Sequence, residues 1–177
     1  LDGKKEHGIV YEQAGVKVRS WPGSHGKDGA VAYRLDWEDA GLSFVFTGDG
    51  RPDELSAKYG KGADVFVSEG TIDVPKLSAM KLGAPSELWE YTIDIYHTMY
   101  YAAGYLFKQT QPRMAAICHS EYAGHPLQPA PVAAFRSNWD GLFMFRGPDV
   151  QVFTVSTDSS CPPAATLPHG ALPPHTD

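Results

Sequence analysis

Ser43-Phe44-Val45-Phe46-Thr47-Gly48-Asp49-Gly50-Arg51-Pro52-Asp53 is the stretch on which the reading of this chain turns. Its first half is a nearly continuous apolar run of strand formers, the pattern of a strand buried on both faces. Its second half stops the strand at Gly48, places a carboxylate at Asp49 and opens a helix at Pro52-Asp53. An acidic group at the end of an apolar strand is costly to desolvate unless a cation or hydrogen-bond donors meet it.

The same grammar repeats on both sides. Upstream, residues 15–19 alternate as a half-buried strand, Pro22-Gly23-Ser24 turns the chain, and 30–35 form a second strand. Glu38-Asp39-Ala40-Gly41 reads as the hairpin turn into the deciding stretch. Downstream, Leu55, Ala57 and Tyr59 precede a stop at Gly60, and 63–68 form a strand ending in Glu69-Gly70. A long mixed connection, 71–95, leads to a helix over 98–109 that Gln111-Pro112 ends. Residues 114–118 are a strand that runs into His119, with further strands at 142–145 and 150–155. Residues 1–13 are polar apart from Ile9–Tyr11. From 158 onward a Pro- and Ala-rich segment with His169 and His175 shows no hydrophobic period. The expected organisation is therefore one α/β domain over 1–157 and a tail over 158–177.

Composition narrows the function classes. The chain has 177 residues, 42 % hydrophobic and 20 % charged, as expected of a soluble globular domain. A net charge of −6 supplies no general basic surface for nucleic acid. Cys118 and Cys161 are too few for a disulfide-stapled scaffold. No apolar run reaches the length of about 18 residues that a membrane span needs. The polar start at Leu1 offers no signal-peptide core, so a cytoplasmic location is expected.

Four segments set an ionisable residue where a strand ends or in the turn beside it: Ser24-His25-Gly26, Gly48-Asp49-Gly50, Ser68-Glu69-Gly70 and Cys118-His119-Ser120. A fifth, Tyr96-His97-Thr98, opens the helix. Two histidines and an aspartate gathered at one place suit zinc, which takes imidazole nitrogen and carboxylate oxygen. Each histidine or aspartate alone reads more readily as a structural histidine, a helix cap or a turn former, and Glu69 as a solvated turn residue; spacing by itself does not identify a zinc site.

The order of these segments resembles the later motifs of ribonuclease Z-like members of the metallo-β-lactamase superfamily. The likeness runs through Arg19-Ser20-Trp21-Pro22 and Ser24-His25, then Phe44 to Pro52, then Val67-Ser68-Glu69-Gly70-Thr71. It continues with Tyr96-His97-Thr98 and ends at Ala116-Ile117-Cys118-His119-Ser120. The nearest likeness is to environmental metallo-β-lactamases. It implies the C-terminal half of a four-layer αββα sandwich and a centre of two zinc ions. In that reading His25 and His119 each ligate one ion and Asp49 bridges them. His97 acts on developing charge and Glu69 orients it, with metal-bound hydroxide as nucleophile. The implied activity is zinc-dependent hydrolysis of a small ester, an amide (including a β-lactam) or a phosphodiester.

Two departures shape the expectation. The family's His-x-His-x-Asp-His signature, which belongs to its N-terminal half, is absent from these residues. Three ligands shared by two ions cannot fill two tetrahedral spheres. The chain also begins about where the family's second half begins. The missing N-terminal half is therefore the expected partner, and a catalytically silent half-domain or interaction module is the competing class. Second, only a short turn joins 30–35 to 43–47, where ribonuclease Z enzymes carry a tRNA-binding arm. This and the acidic charge disfavour the alternative of a tRNA 3′-processing endoribonuclease. A homo-oligomer is left open.

Overall fold

The computed structural model describes residues 8–26, 29–71, 93, 95–120 and 129–145. The strand expected at 150–155, most of the 71–95 connection and the 158–177 tail lie outside the described residues. Seven strands form one sheet in chain order: β1 (Gly8–Gln13), β2 (Val16–Pro22), β3 (Val31–Trp37), β4 (Leu42–Phe46), β5 (Val65–Glu69), β6 (Met114–Cys118) and β7 (Phe143–Phe145). β1 to β4 are an antiparallel meander, and β4 to β7 run parallel. Among the described residues, three α-helices accompany the parallel part: α1 (Glu54–Tyr59), α2 (Tyr100–Thr110) and α3 (Pro129–Arg136).

Local chemistry accounts for most boundaries. Asp53 caps α1, its Oδ1 accepting from the Ser56 amide at 2.7 Å. Gln111 ends α2 in the left-handed conformation just before Pro112. Two elements have no signature in the sequence. β1 exists because Ala14 and Gly15, both at positive φ, turn the chain back onto β2 as a tight hairpin. Its residues from Ile9 onward are exposed, so no alternation marks it. α3 starts with prolines at its first and third positions, where a missing amide costs little. It is held by packing: Phe135 is fully buried against Phe107 and Trp139. A Cβ on Gly104 would stand 2.3 Å from the Phe135 carbonyl oxygen, so only glycine admits this close crossing of α2 and α3.

The core lies between the helices and one face of the sheet. Trp21, Ala32, Val45, Phe66, Ala115 and Ile117 project from the strands, met by Tyr100, Ala103, Leu106 and Phe107 of α2. Burying each large apolar side chain contributes roughly 1.5–3 kcal/mol.

The opposite face corrects the expectation that the 43–47 strand is buried on both sides. Only Val45 is fully buried; Phe44 and Phe46 are 41 % and 39 % exposed. The register pairs Phe46 with Tyr33, Phe44 with Leu35 and Leu42 with Trp37, which puts these six side chains on one face. The helices pack on the other side, and no described element covers this apolar face. Among the described residues, no helix is long and apolar enough to cross a membrane.

Candidate metal centre

Strand direction gathers the candidate residues. β2 is antiparallel to β3 and β3 to β4, so β2 points the same way as β4, β5 and β6. The C-terminal ends of all four therefore lie on one edge of the sheet. His25 follows β2, Asp49 follows β4, Glu69 ends β5 and His119 follows β6. The connection from β5 through α2 to β6 brings His97 to the same edge, three residues ahead of the helix. Adjacent strands are about 4.8 Å apart, so Asp49 and His119 start roughly two strand spacings from each other. Their side chains close the gap, with His119 Nε2 3.7 Å from Asp49 Oδ2.

The backbone around these residues is shaped for the approach. Gly48 at φ 65° releases the chain from β4, and the Arg51 amide bonds the Ser24 carbonyl at 2.7 Å, tying the Asp49 loop to the His25 loop. His119 itself sits at φ 50°, a left-handed conformation that few non-glycine residues adopt. Gly26, at φ 52°, is required because a Cβ there would fall inside the Tyr96 ring, which stands edge-on to His25 at 5.1 Å.

Donor atoms converge in two overlapping sets. One potential ligand atom each from His25, Asp49 and His97 lies within 4.8 Å of the others, as does one each from Glu69, His97 and His119. The His97 ring stands between the other two imidazoles, 5.6 Å from His25 and 5.5 Å from His119. Glu69 is fully buried, and both its oxygens are engaged. Oε1 accepts the Gly50 amide, and Oε2 is 2.7 Å from His97 Nδ1. Glu69 thus occupies the Nδ1 side of the His97 ring, which leaves Nε2 as the nitrogen that can serve the cluster.

All five residues singled out in the sequence thus meet at one edge. Glu69 is not a solvated turn residue. Nor does His97 cap α2, whose N-cap is Met99 without a side-chain cap bond. His97, expected beside the ligands, lies within reach of both donor sets. The sequence reading also missed Thr98 and Tyr100. The Thr98 hydroxyl donates to the Gly50 carbonyl, and the Tyr100 hydroxyl bonds that of Ser120. Nothing in their spacing announces this, because their partners are distant in sequence.

This donor set fits a divalent metal. Two ligands on a tetrahedral ion with bonds of about 2.1 Å lie roughly 3.4 Å apart, close to the 3.7 Å between His119 and Asp49. Imidazole nitrogens with a carboxylate suit zinc and iron alike.

Neither a protein-family model nor a curated protein matches the sequence. Solved structures do. The metallo-beta-lactamase fold protein YhfI from Bacillus subtilis matches 81 % of this chain and 51 % of its own, with a TM-score of 0.57 and 12 % identity. The short form of human tRNase Z matches 78 % of this chain and 43 % of its own, at TM-score 0.52 and 13 % identity. CmlA, a diiron β-hydroxylase from Streptomyces venezuelae, matches 80 % and 32 %, at TM-score 0.50 and 10 % identity. The chain has the metallo-β-lactamase fold, and it spans about half the length, or less, of these structures.

Proposed function

We propose that this chain contributes the C-terminal half of the active centre of a metal-dependent hydrolase. The observation that carries the reading is the meeting of His25, Asp49, His97 and His119 around a fully buried Glu69 at the strand ends. His25, Asp49 and His119 would hold the metal, with Asp49 as the ligand shared by two ions. Bound there, the metal would supply Lewis-acid chemistry, polarising the scissile group and making water a nucleophile near neutral pH. His97, oriented by Glu69, would hold or deliver a proton at Nε2 toward the developing charge.

Zinc is the proposed metal, and a small ester, amide or phosphodiester the proposed substrate class, with a β-lactam among the amides. The remaining ligands would come from a second sheet lying on the uncovered apolar face formed by Tyr33, Leu35, Trp37, Leu42, Phe44 and Phe46. Two observations support this: that face carries exposed aromatic side chains, and the chain covers only about half, or less, of the matching structures. It also explains why the strand around Val45 is apolar on both sides. Elemental analysis of the natural full-length protein, with hydrolysis assays on a chromogenic β-lactam, a nitrophenyl ester and a nitrophenyl phosphodiester, tests the reading. The expected result is two zinc ions per chain and turnover of at least one substrate. A folded full-length protein with no bound metal would overturn it in favour of a silent module, and bound iron would correct the metal alone.

A further inference from the structure

The short segment from His97 to Tyr100 touches three of the four strand ends that carry the candidate centre, those of β4, β5 and β6. At β5, His97 Nδ1 meets Glu69, the Thr71 amide donates to the Thr98 carbonyl at 2.8 Å, and the Tyr100 amide donates to the Thr71 carbonyl at 2.9 Å. At β4, the Thr98 hydroxyl donates to the carbonyl of Gly50, the residue after Asp49. At β6, the Tyr100 hydroxyl bonds that of Ser120, the residue after His119. Thr98 and Tyr100 are each only 2 % exposed. Water therefore competes little for the buried Thr98–Gly50 bond, and the Tyr100–Ser120 bond is part-buried. Hydrogen bonds within the sheet do not fix the loops beyond the strand ends. His119 in particular has already left β6 and holds a left-handed backbone.

We infer that Thr98 and Tyr100 are positioning residues that set the separation of Asp49 and His119, with Thr98 fixing the first loop and Tyr100 the second. They touch no reacting group; they act through the backbone of Gly50 and through Ser120. The inference rests on the metal-centre reading above, but half of its test does not need the metal.

Tyr100→Phe keeps the ring packed against Gly70 and removes one hydroxyl. Ser120→Ala removes the same bond from its other end. Thr98→Val removes the Thr98 hydroxyl at nearly constant shape, and Thr98→Ser restores it. Zinc affinity of the full-length protein is measured by competition with a chromophoric chelator. Imidazole resonances of the metal-free protein are read by NMR. Changing groups that orient ligands from outside the first coordination sphere typically costs 10–100-fold in metal affinity. Because these two residues act one bond further out, about tenfold is expected for Tyr100→Phe, Ser120→Ala and Thr98→Val. Thr98→Ser should remain near wild type, and the Tyr100→Phe, Ser120→Ala pair should cost no more than either alone. The His119 resonances should move in Tyr100→Phe and Ser120→Ala without metal.

A folded Tyr100→Phe protein with unchanged His119 resonances and wild-type zinc affinity would overturn the inference, even if its melting temperature fell. If the wild-type protein bound no zinc, the metal reading would fail. The His119 resonances would still decide the positioning role: movement supports it, and no movement sinks it.

Discussion

The two ends of the parallel strands are built to opposite specifications. At the N-terminal end, Asp64 enters β5 only 8 % exposed, and its carboxylate is matched by donors. Oδ2 accepts the Ser43 amide at 2.7 Å and the Ser43 hydroxyl at 2.9 Å, while Oδ1 meets Arg113 at 2.6 Å. These bonds fasten the starts of β4, β5 and β6 together. At the C-terminal end the sheet gathers two carboxylates and three imidazoles. The Asp49 and His119 side chains are 44 % and 56 % exposed and stand 3.7 Å apart, beyond hydrogen-bond length. A polar group answered by its neighbours stabilises the fold. Donor atoms brought together without answering one another leave ligand capacity for something else. Placement at the carboxyl ends of parallel strands, where α/β sheets tend to build their sites, agrees with that division.

Substitutions at the two ends should therefore fail differently. Asp49→Ala is expected to have the largest effect, losing metal and activity together. The activity loss should exceed the 10–100-fold typical of residues outside the first coordination sphere, and the fold should persist. Metal content and circular dichroism on the same sample check it, and a metal-replete, active Asp49→Ala protein would remove Asp49 from the centre. His97→Ala comes next, with kcat falling by about 10²–10⁴-fold and metal content nearly unchanged. Because His97 lies in both donor sets, loss of an ion in this variant would reassign it from proton transfer to ligation. Glu69→Gln should be milder, about 10–100-fold in kcat or metal affinity, because it disturbs only the orientation of His97 and the Gly50 loop. Steady-state kinetics beside metal titration separates the two.

The smallest catalytic effect is expected at the other end of the strands. Burial by itself would raise the Asp64 pKa, but the hydrogen bonds from Arg113 and Ser43 outweigh it and hold the carboxyl below its ordinary value. A depressed folded pKa stabilises the protein fully above the unfolded value of about 3.9. That contribution declines as pH falls and is gone below the folded value. Asp64→Asn should cost about 1–3 kcal/mol near neutrality and flatten the dependence of stability on pH below about 5. Metal content and kcat of the folded fraction should hardly change. Denaturant titrations between pH 3 and 7 read the first two, and a metal loss as large as that of Asp49→Ala would abolish the contrast between the ends.

Much of this was legible in the sequence, for a local reason. An apolar strand that stops on a glycine and a charged residue is written in consecutive residues, so β4 with Asp49, β5 with Glu69 and β6 with His119 could be read one after another. The capped start of α1 and the stop of α2 at Gln111-Pro112 are local in the same way. What the order of motifs suggested beyond that came from family resemblance, including the expected roles of His25 and His97.

Other features depend on partners far along the chain, and only the tertiary structure decided them. β1 is a strand because β2 pairs with it, and α3 is a helix because Phe107 and Trp139 receive Phe135. The apolar run around Val45 looks the same whether one face is covered or two; only the structure shows that, among the described residues, the helices pack on a single side. The sequence could not say that Glu69 is fully buried, that His97 stands between His25 and His119, or that Thr98 and Tyr100 reach Gly50 and Ser120. Those facts follow from four strands pointing the same way and one crossover returning to their common edge, and strand direction is a property of the pairing, not of any single segment.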